Sequence, residues 1–174
     1  EHNIQGIGDK HVPLIHNVMN TDFVVDISDK ATDNLNLVFN TNVGKEYLIK
    51  KIGLEEFLVN KLPEFGFSSI ANILASIKLA KYMNLGKDDA IITVATDGAD
   101  LYLSELEKTK KNFEGTFDES ACSNIFKKYI KEINNDDMLE LSQNDKERIF
   151  NLGYYTWVEQ QGVSLSDFEK RKDQ

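Results

Sequence analysis

Three short segments of the chain hold residue types that could contact a ligand. The first runs His2-Asn3-Ile4-Gln5-Gly6-Ile7-Gly8. Glycines on both sides of one apolar residue, after a strand, let the backbone approach a planar ligand with no side chain between them. A tight turn accounts for the same residues. The second segment is Phe65-Gly66-Phe67-Ser68-Ser69, which opens an apolar helix. A helix N-terminus presents backbone N–H groups that attract anions, although Ser68 as a simple cap explains the segment equally well. The third is Thr96-Asp97-Gly98, which follows the apolar run AIITVAT. In open parallel sheets ligands collect beyond the carboxyl ends of the strands, so polar residues there are candidates for ligand contact. The competing reading is ordinary Asp-Gly turn chemistry.

These segments need elements to position them. Residues 3–8 read as a short strand, and residues 21–27 (TDFVVDI) as one rich in β-branched and aromatic side chains. Residues 90–96 (AIITVAT) are apolar enough for a strand buried on both faces of a parallel sheet. Between them, residues 31–40 and 45–60 read as helical, interrupted near Gly44 and Gly53. Ser68 can cap a helix over 69–83, whose Ile70, Ile73, Leu74, Ile77 and Ala80 share one face. Strands alternating with helices in this way predict an α/β fold with parallel strands. Residues 105–174 hold no convincing strand. Helices are expected over 119–133 and 144–161, capped by Asp118 and Ser142, with a short one from Ser166. Ile125, Tyr129 and Ile133, then Ile149, Leu152 and Tyr155, are the apolar faces expected to pack this part as a helical appendage on residues 1–104.

Composition narrows the function classes. The 174 residues carry 29 acidic and 20 basic side chains, a formal net charge of −9. Such a balance repels nucleic acid and anionic membrane, since phosphate binding needs clustered Lys and Arg. Lys108 to Lys111 and Lys127-Lys128 read as solvated helix faces. No apolar run reaches the roughly 18 residues of a membrane span. The single cysteine, Cys122, excludes a disulfide framework within the chain and reads as a small buried apolar residue. A cytoplasmic setting is the default expectation. His11, His16 and Asp9 lack the i, i+4 spacing of a metal site, and no metal is expected. The first residue is not a start methionine, and the charged run 170–174 has no stop signal, so both ends are expected to be cut.

Taken in order, IQGIG, GFSSIANILASIKLAK and AIITVATDG followed by Tyr102-Leu103-Ser104 resemble the C-terminal part of the cysteine-synthase family of fold-type II pyridoxal-phosphate (PLP) enzymes. The resemblance covers roughly residues 1–104. The string GIGDKHVPLIHNV, with GYYTWVEQQGVS near the end, is similar to a bacterial subgroup described as cysteine synthase-like. The resemblance implies a tryptophan synthase beta-like α/β fold. It also implies that Gly6, Ile7 and Gly8 lie along the cofactor ring. A hydroxyl at the end of the third strand would contact the pyridine nitrogen. By the following glycine that position falls on Asp97, by the strand on Thr96, and counting back from Tyr102 on Gly98. A neutral Thr96 would leave the nitrogen unprotonated, whereas an Asp97 carboxylate would hold a proton there and deepen the electron sink.

The sequence also departs from the family. Asp9-Lys10-His11 stands where cysteine synthases have small residues. The family's Schiff-base lysine and its Gly- and Thr-rich phosphate loop belong to the N-terminal half and have no counterpart here; Lys10 and Lys45 match no family lysine. The resemblance therefore implies a parent enzyme of β-elimination or β-replacement, acting on serine, cysteine or an O-acylserine, with this chain inactive alone. Its expected partners are the small amino-acid substrate, and either a second copy or the missing half. The rival reading is a non-catalytic small-ligand-binding or regulatory α/β module.

Overall fold

Helix dominates the computed structural model, which describes residues 4, 7, 11–113 and 116–173. It is 63% helical, with eight α-helices and one two-stranded antiparallel sheet among the described residues. These residues fall into two compact units.

The first unit holds Ile4, Ile7 and the described part of Ile27–Asp136. Helix α1 (Asp29–Asn40) places Ala31, Leu35 and Val38 on one stripe at i, i+4 and i+7, and all three are buried. Thr41 then turns the chain. Its hydroxyl donates to the Leu37 carbonyl at 2.8 Å and accepts from the Gly44 N–H at 3.1 Å, which caps α2 (Asn42–Tyr47). A wider π turn over Leu48–Ile52 ends at Gly53, whose φ of 81° lies in the left-handed region that glycine enters without strain. Short α3 (Glu56–Val59) leads to α4 (Phe67–Tyr82). After α5 (Leu103–Lys111), the Asp118 side chain accepts from the Ala121 N–H and caps α6 (Glu119–Phe126). Leu35, Val38, Leu48, Val59, Ile70, Leu74, Phe117, Cys122 and Ile125 form the core of this unit. Each large side chain buried there contributes roughly 1.5–3 kcal/mol. Burial pushes the Cys122 thiol up to about 11, reinforced by the Asp118 carboxylate, so it stays a neutral packing group. Lys78 and Lys81 donate to the carbonyls of Asp136 and Ile133, both at 2.6 Å.

The second unit comprises the described residues of 11–26 and 137–173. Strand β1 (Phe23–Val25) pairs antiparallel with β2 (Met138–Glu140), Val24 opposite Leu139. A capping box between Ser142 and Asp145 starts α7 (Gln143–Tyr154), which runs on through a π turn to Gln160. Ser164 caps α8 (Leu165–Glu169). Val18, Phe150 and Phe168 are the buried centre. Arg171 is 8% exposed, with its guanidinium 5.2 and 5.0 Å from the Phe150 and Phe168 ring centroids, and donates to the His16 carbonyl at 2.9 Å.

The expected α/β architecture, a parallel sheet with flanking helices, is not what this chain adopts. TDFVVDI does contain a strand, but its partner is the three-residue β2, in a region expected to be helical only. AIITVAT has strand-forming residues but no strand to pair with among the described residues, and 90–96 are all exposed. Of the expected strand 3–8, only Ile4 and Ile7 are described, and neither is in a strand. Helix α4 starts at Phe67 with Gly66 as its cap, not at Ser69 after Ser68, because Phe67 is an anchor with no exposed surface. Gly44 lies inside α2 rather than interrupting it. In α7 and its extension Phe150 and Gly153 are buried and Ile149 packs half-buried beside them, while Leu152 and Tyr155 face solvent. No helix among the described residues is long and apolar enough to cross a membrane.

Candidate functional site

Two of the three segments singled out by sequence meet at the N-terminus of α4. Gly66 permits the meeting: a Cβ there would lie 2.7 Å from Asp97 Oδ1 and 2.8 Å from Tyr102 Cε2. With only hydrogen in that space, the Gly66 N–H donates to the Asp97 carbonyl at 2.7 Å. One turn on, Ser69 is 1% exposed, and its Oγ accepts from the Thr96 N–H at 2.8 Å and lies 3.1 Å from Thr96 Oγ1. The Asn72 amide reaches the Val94 carbonyl at 2.9 Å. Residues 94–97 are thus laid along the first two turns of α4.

Asp97 is the electrostatic centre of this corner. Thr96 Oγ1 donates to its Oδ1 at 2.9 Å, and the Tyr102 hydroxyl donates to its Oδ2. Burial alone would push the Asp97 carboxyl up, but the hydrogen bonds from Tyr102 and Thr96 outweigh it and hold the carboxyl below its ordinary value. A carboxylate beside a helix N-terminus is also favoured by the helix dipole. Tyr102 is pushed up to about 12, first by burial and then by the Asp97 carboxylate. Its ring stacks on Phe67 with centroids 4.4 Å apart, and Ile4 and Ala71 pack in the same apolar cluster. Ile4, from the first segment, therefore joins the corner through its side chain.

The expected cofactor contacts are placed as follows. Thr96 and Asp97 sit together in the corner. Ile7 is half exposed at a turn, and Gly6 and Gly8 lie outside the described residues. Sequence reasoning missed the roles of Ser69 and Tyr102. The five-residue step from Asp97 to Tyr102, closed by the turn Ala99–Tyr102, was the available signal. On the far side of Gly98 lies an open cleft of about 570 Å³ lined by Asn40, Pro63, Glu64, Ala99, Asp100, Leu103 and Leu106. Its lining holds two carboxylates and no cation, so it suits no phosphate. No cluster of metal-ligating residues occurs among the described residues.

The phenol supplies a direct test. Its folded-state value is raised, so the stability carried by the neutral phenol is fully present below about pH 10, the ordinary tyrosine value. That contribution disappears as pH rises through about 12. For Asp97 the sign is opposite: its contribution holds above the ordinary carboxyl range and is lost as pH falls through the lowered value. Alkaline titration followed by phenolate absorbance is expected to show a step near pH 12 whose amplitude falls by one phenol in Tyr102→Phe, while Tyr154, raised by its bond to Glu159, still titrates late. An unchanged late step in that variant would contradict the Asp97–Tyr102 pairing.

No family model matches this chain, and no curated protein and no solved structure is significantly similar to it.

Proposed function

We propose that the corner of Ser69, Thr96, Asp97 and Tyr102 is one wall of a PLP site in a cysteine synthase-like enzyme. In this reading the parent enzyme carries out β-elimination or β-replacement on a small amino acid in the cytoplasm. The observation that carries it is the meeting of GFSS and ATDG, far apart in sequence, in one polar corner that Ile4 also joins.

The corner fits one edge of the cofactor. PLP, when bound, supplies an electron sink for the electrons released at the substrate's α-carbon. Thr96 and Asp97 are its candidate partners at the pyridine nitrogen, and the hydrogen-bond pattern favours Asp97. The Thr96 hydroxyl hydrogen is directed at Asp97. The ionised Asp97 carboxylate accepts from Thr96, Tyr102 and its own backbone N–H, and keeps acceptor capacity beyond them. It would hold a proton at the ring nitrogen, where a lone threonine would not. Tyr102 and Phe67 position the carboxylate. None of the polar partners within the corner is a lysine or arginine, so the groups for the cofactor's phosphate and aldehyde belong elsewhere in the parent protein. This chain alone is then inactive.

Incubation of the purified chain with PLP followed by borohydride is expected to label no single lysine stoichiometrically. A unique lysine adduct would overturn the assignment of the Schiff-base residue to another part of the protein. A second reading, a non-catalytic small-ligand-binding or regulatory module, draws on the way the corner's polar groups already satisfy one another.

A further inference from the structure

Residues 90–96 (AIITVAT) run without turn or bend, and every one of them is exposed, Ile92 by 97% and Val94 by 65%. Val94 and Thr96, two apart, both bond to α4, through the Val94 carbonyl and the Thr96 N–H. That is the pattern of an extended chain, in which the N–H and C=O of alternate residues face the same edge. Helix α4 therefore takes the edge of residues 94 and 96. The backbone groups of Ile91, Thr93 and Ala95 face the other way, and no hydrogen bond engages them. The side chains point to both faces of the segment, and both faces are exposed, so a flat surface could cover only one of them. A neighbouring strand satisfies the free edge and shields both faces.

We propose that this segment pairs antiparallel with itself in a second copy of the chain, about a two-fold axis at Thr93. The sequence is complementary about that centre. Thr93 faces Thr93, large Ile91 faces small Ala95, and the exposed Ile92 faces the exposed Val94. In this register the residues with free backbone groups, 91, 93 and 95, are the hydrogen-bonded ones. Their pairing 91 to 95, 93 to 93 and 95 to 91 uses the whole free edge. The pairs are β-branched or small, which suits cross-strand contact, and none places like charges together. Charge enters only at the ends, where Asp89 comes opposite Asp97. Asp89 accepts from the Gly86 N–H, and Asp97 is held by Thr96 and Tyr102. Two such pairs, on chains of net charge −9, make association stronger as salt rises. The proposal is independent of the ligand reading.

Sedimentation equilibrium of the full chain, at low and high salt, tests it. The wild type is expected to dimerise, more tightly in salt. Thr93→Pro removes the central N–H, which has no partner within the chain, and Ile92→Lys puts a charge at the centre of one face. Each is expected to weaken the dimer roughly 100-fold while circular dichroism stays that of the wild type. A wild type that remains monomeric over the whole concentration range overturns the proposal, also when it captures a strand peptide from another protein. So does a dimer that neither substitution affects.

Discussion

Gly44→Ala is expected to destabilise the first unit more than its single added methyl group suggests. A Cβ at this position would lie 2.0 Å from the Val38 carbonyl oxygen and 2.6 Å from its carbon. These are backbone atoms of α1, and Val38 has no exposed surface, so no side chain can swing away to make room. The turn between α1 and α2 would have to open, breaking the Thr41 bonds to Leu37 and Gly44. Overpacking costs about 1–3 kcal/mol where side chains yield, and the upper end of that range, about 3 kcal/mol, is expected here. Urea denaturation followed by far-ultraviolet circular dichroism measures it. A midpoint unchanged from wild type would mean that α1 and α2 do not approach as described.

Phe67→Ala is expected to cost about 3–5 kcal/mol, the usual penalty for emptying a buried aromatic site. Phe67 has no exposed surface, stacks on Tyr102 and packs against Ile4 and Ala71. The substitution also removes the surface that orients the Tyr102 ring. The late phenolate step should then move towards the ordinary tyrosine value. Tyr102→Phe, which keeps the ring and loses only the hydrogen bond to a charged carboxylate, should cost about 1.5–3 kcal/mol. The contrast separates packing from hydrogen bonding at the corner. A loss below about 1 kcal/mol for Phe67→Ala would show that the stack does not support the site.

What could be read in the sequence was local. Asp118 and Ser142 cap their helices as their positions predict, because a cap needs only the N–H groups two or three residues on. Gly53 ends a helical segment for the same kind of reason. What failed depends on partners distant in the chain. AIITVAT has the residues of a buried strand, yet being a strand requires a neighbour that the described residues do not supply. The three-residue β2 is too short to show a period, and its pairing with β1 is set by tertiary contact. Ser68 looked like a cap, but Phe67 anchors the helix so that it starts two residues earlier, and Ser69 turns inward, where it meets Thr96. In the site, Thr96 and Asp97 stood out as polar residues after an apolar run. The engagement of Asp97 by Tyr102 did not, because the turn Ala99–Tyr102 creates it. Arg171 was equally hidden: it lies in the charged run 170–174, whereas its guanidinium sits over two phenylalanine rings.

The most direct test of the ligand corner is an amide chemical-shift titration of the isotope-labelled chain with PLP. The account predicts weak, saturable shifts confined to residues 66–69 and 96–98, abolished by Asp97→Asn. Saturable shifts elsewhere in the chain, or shifts at the corner that survive Asp97→Asn unchanged, would contradict it.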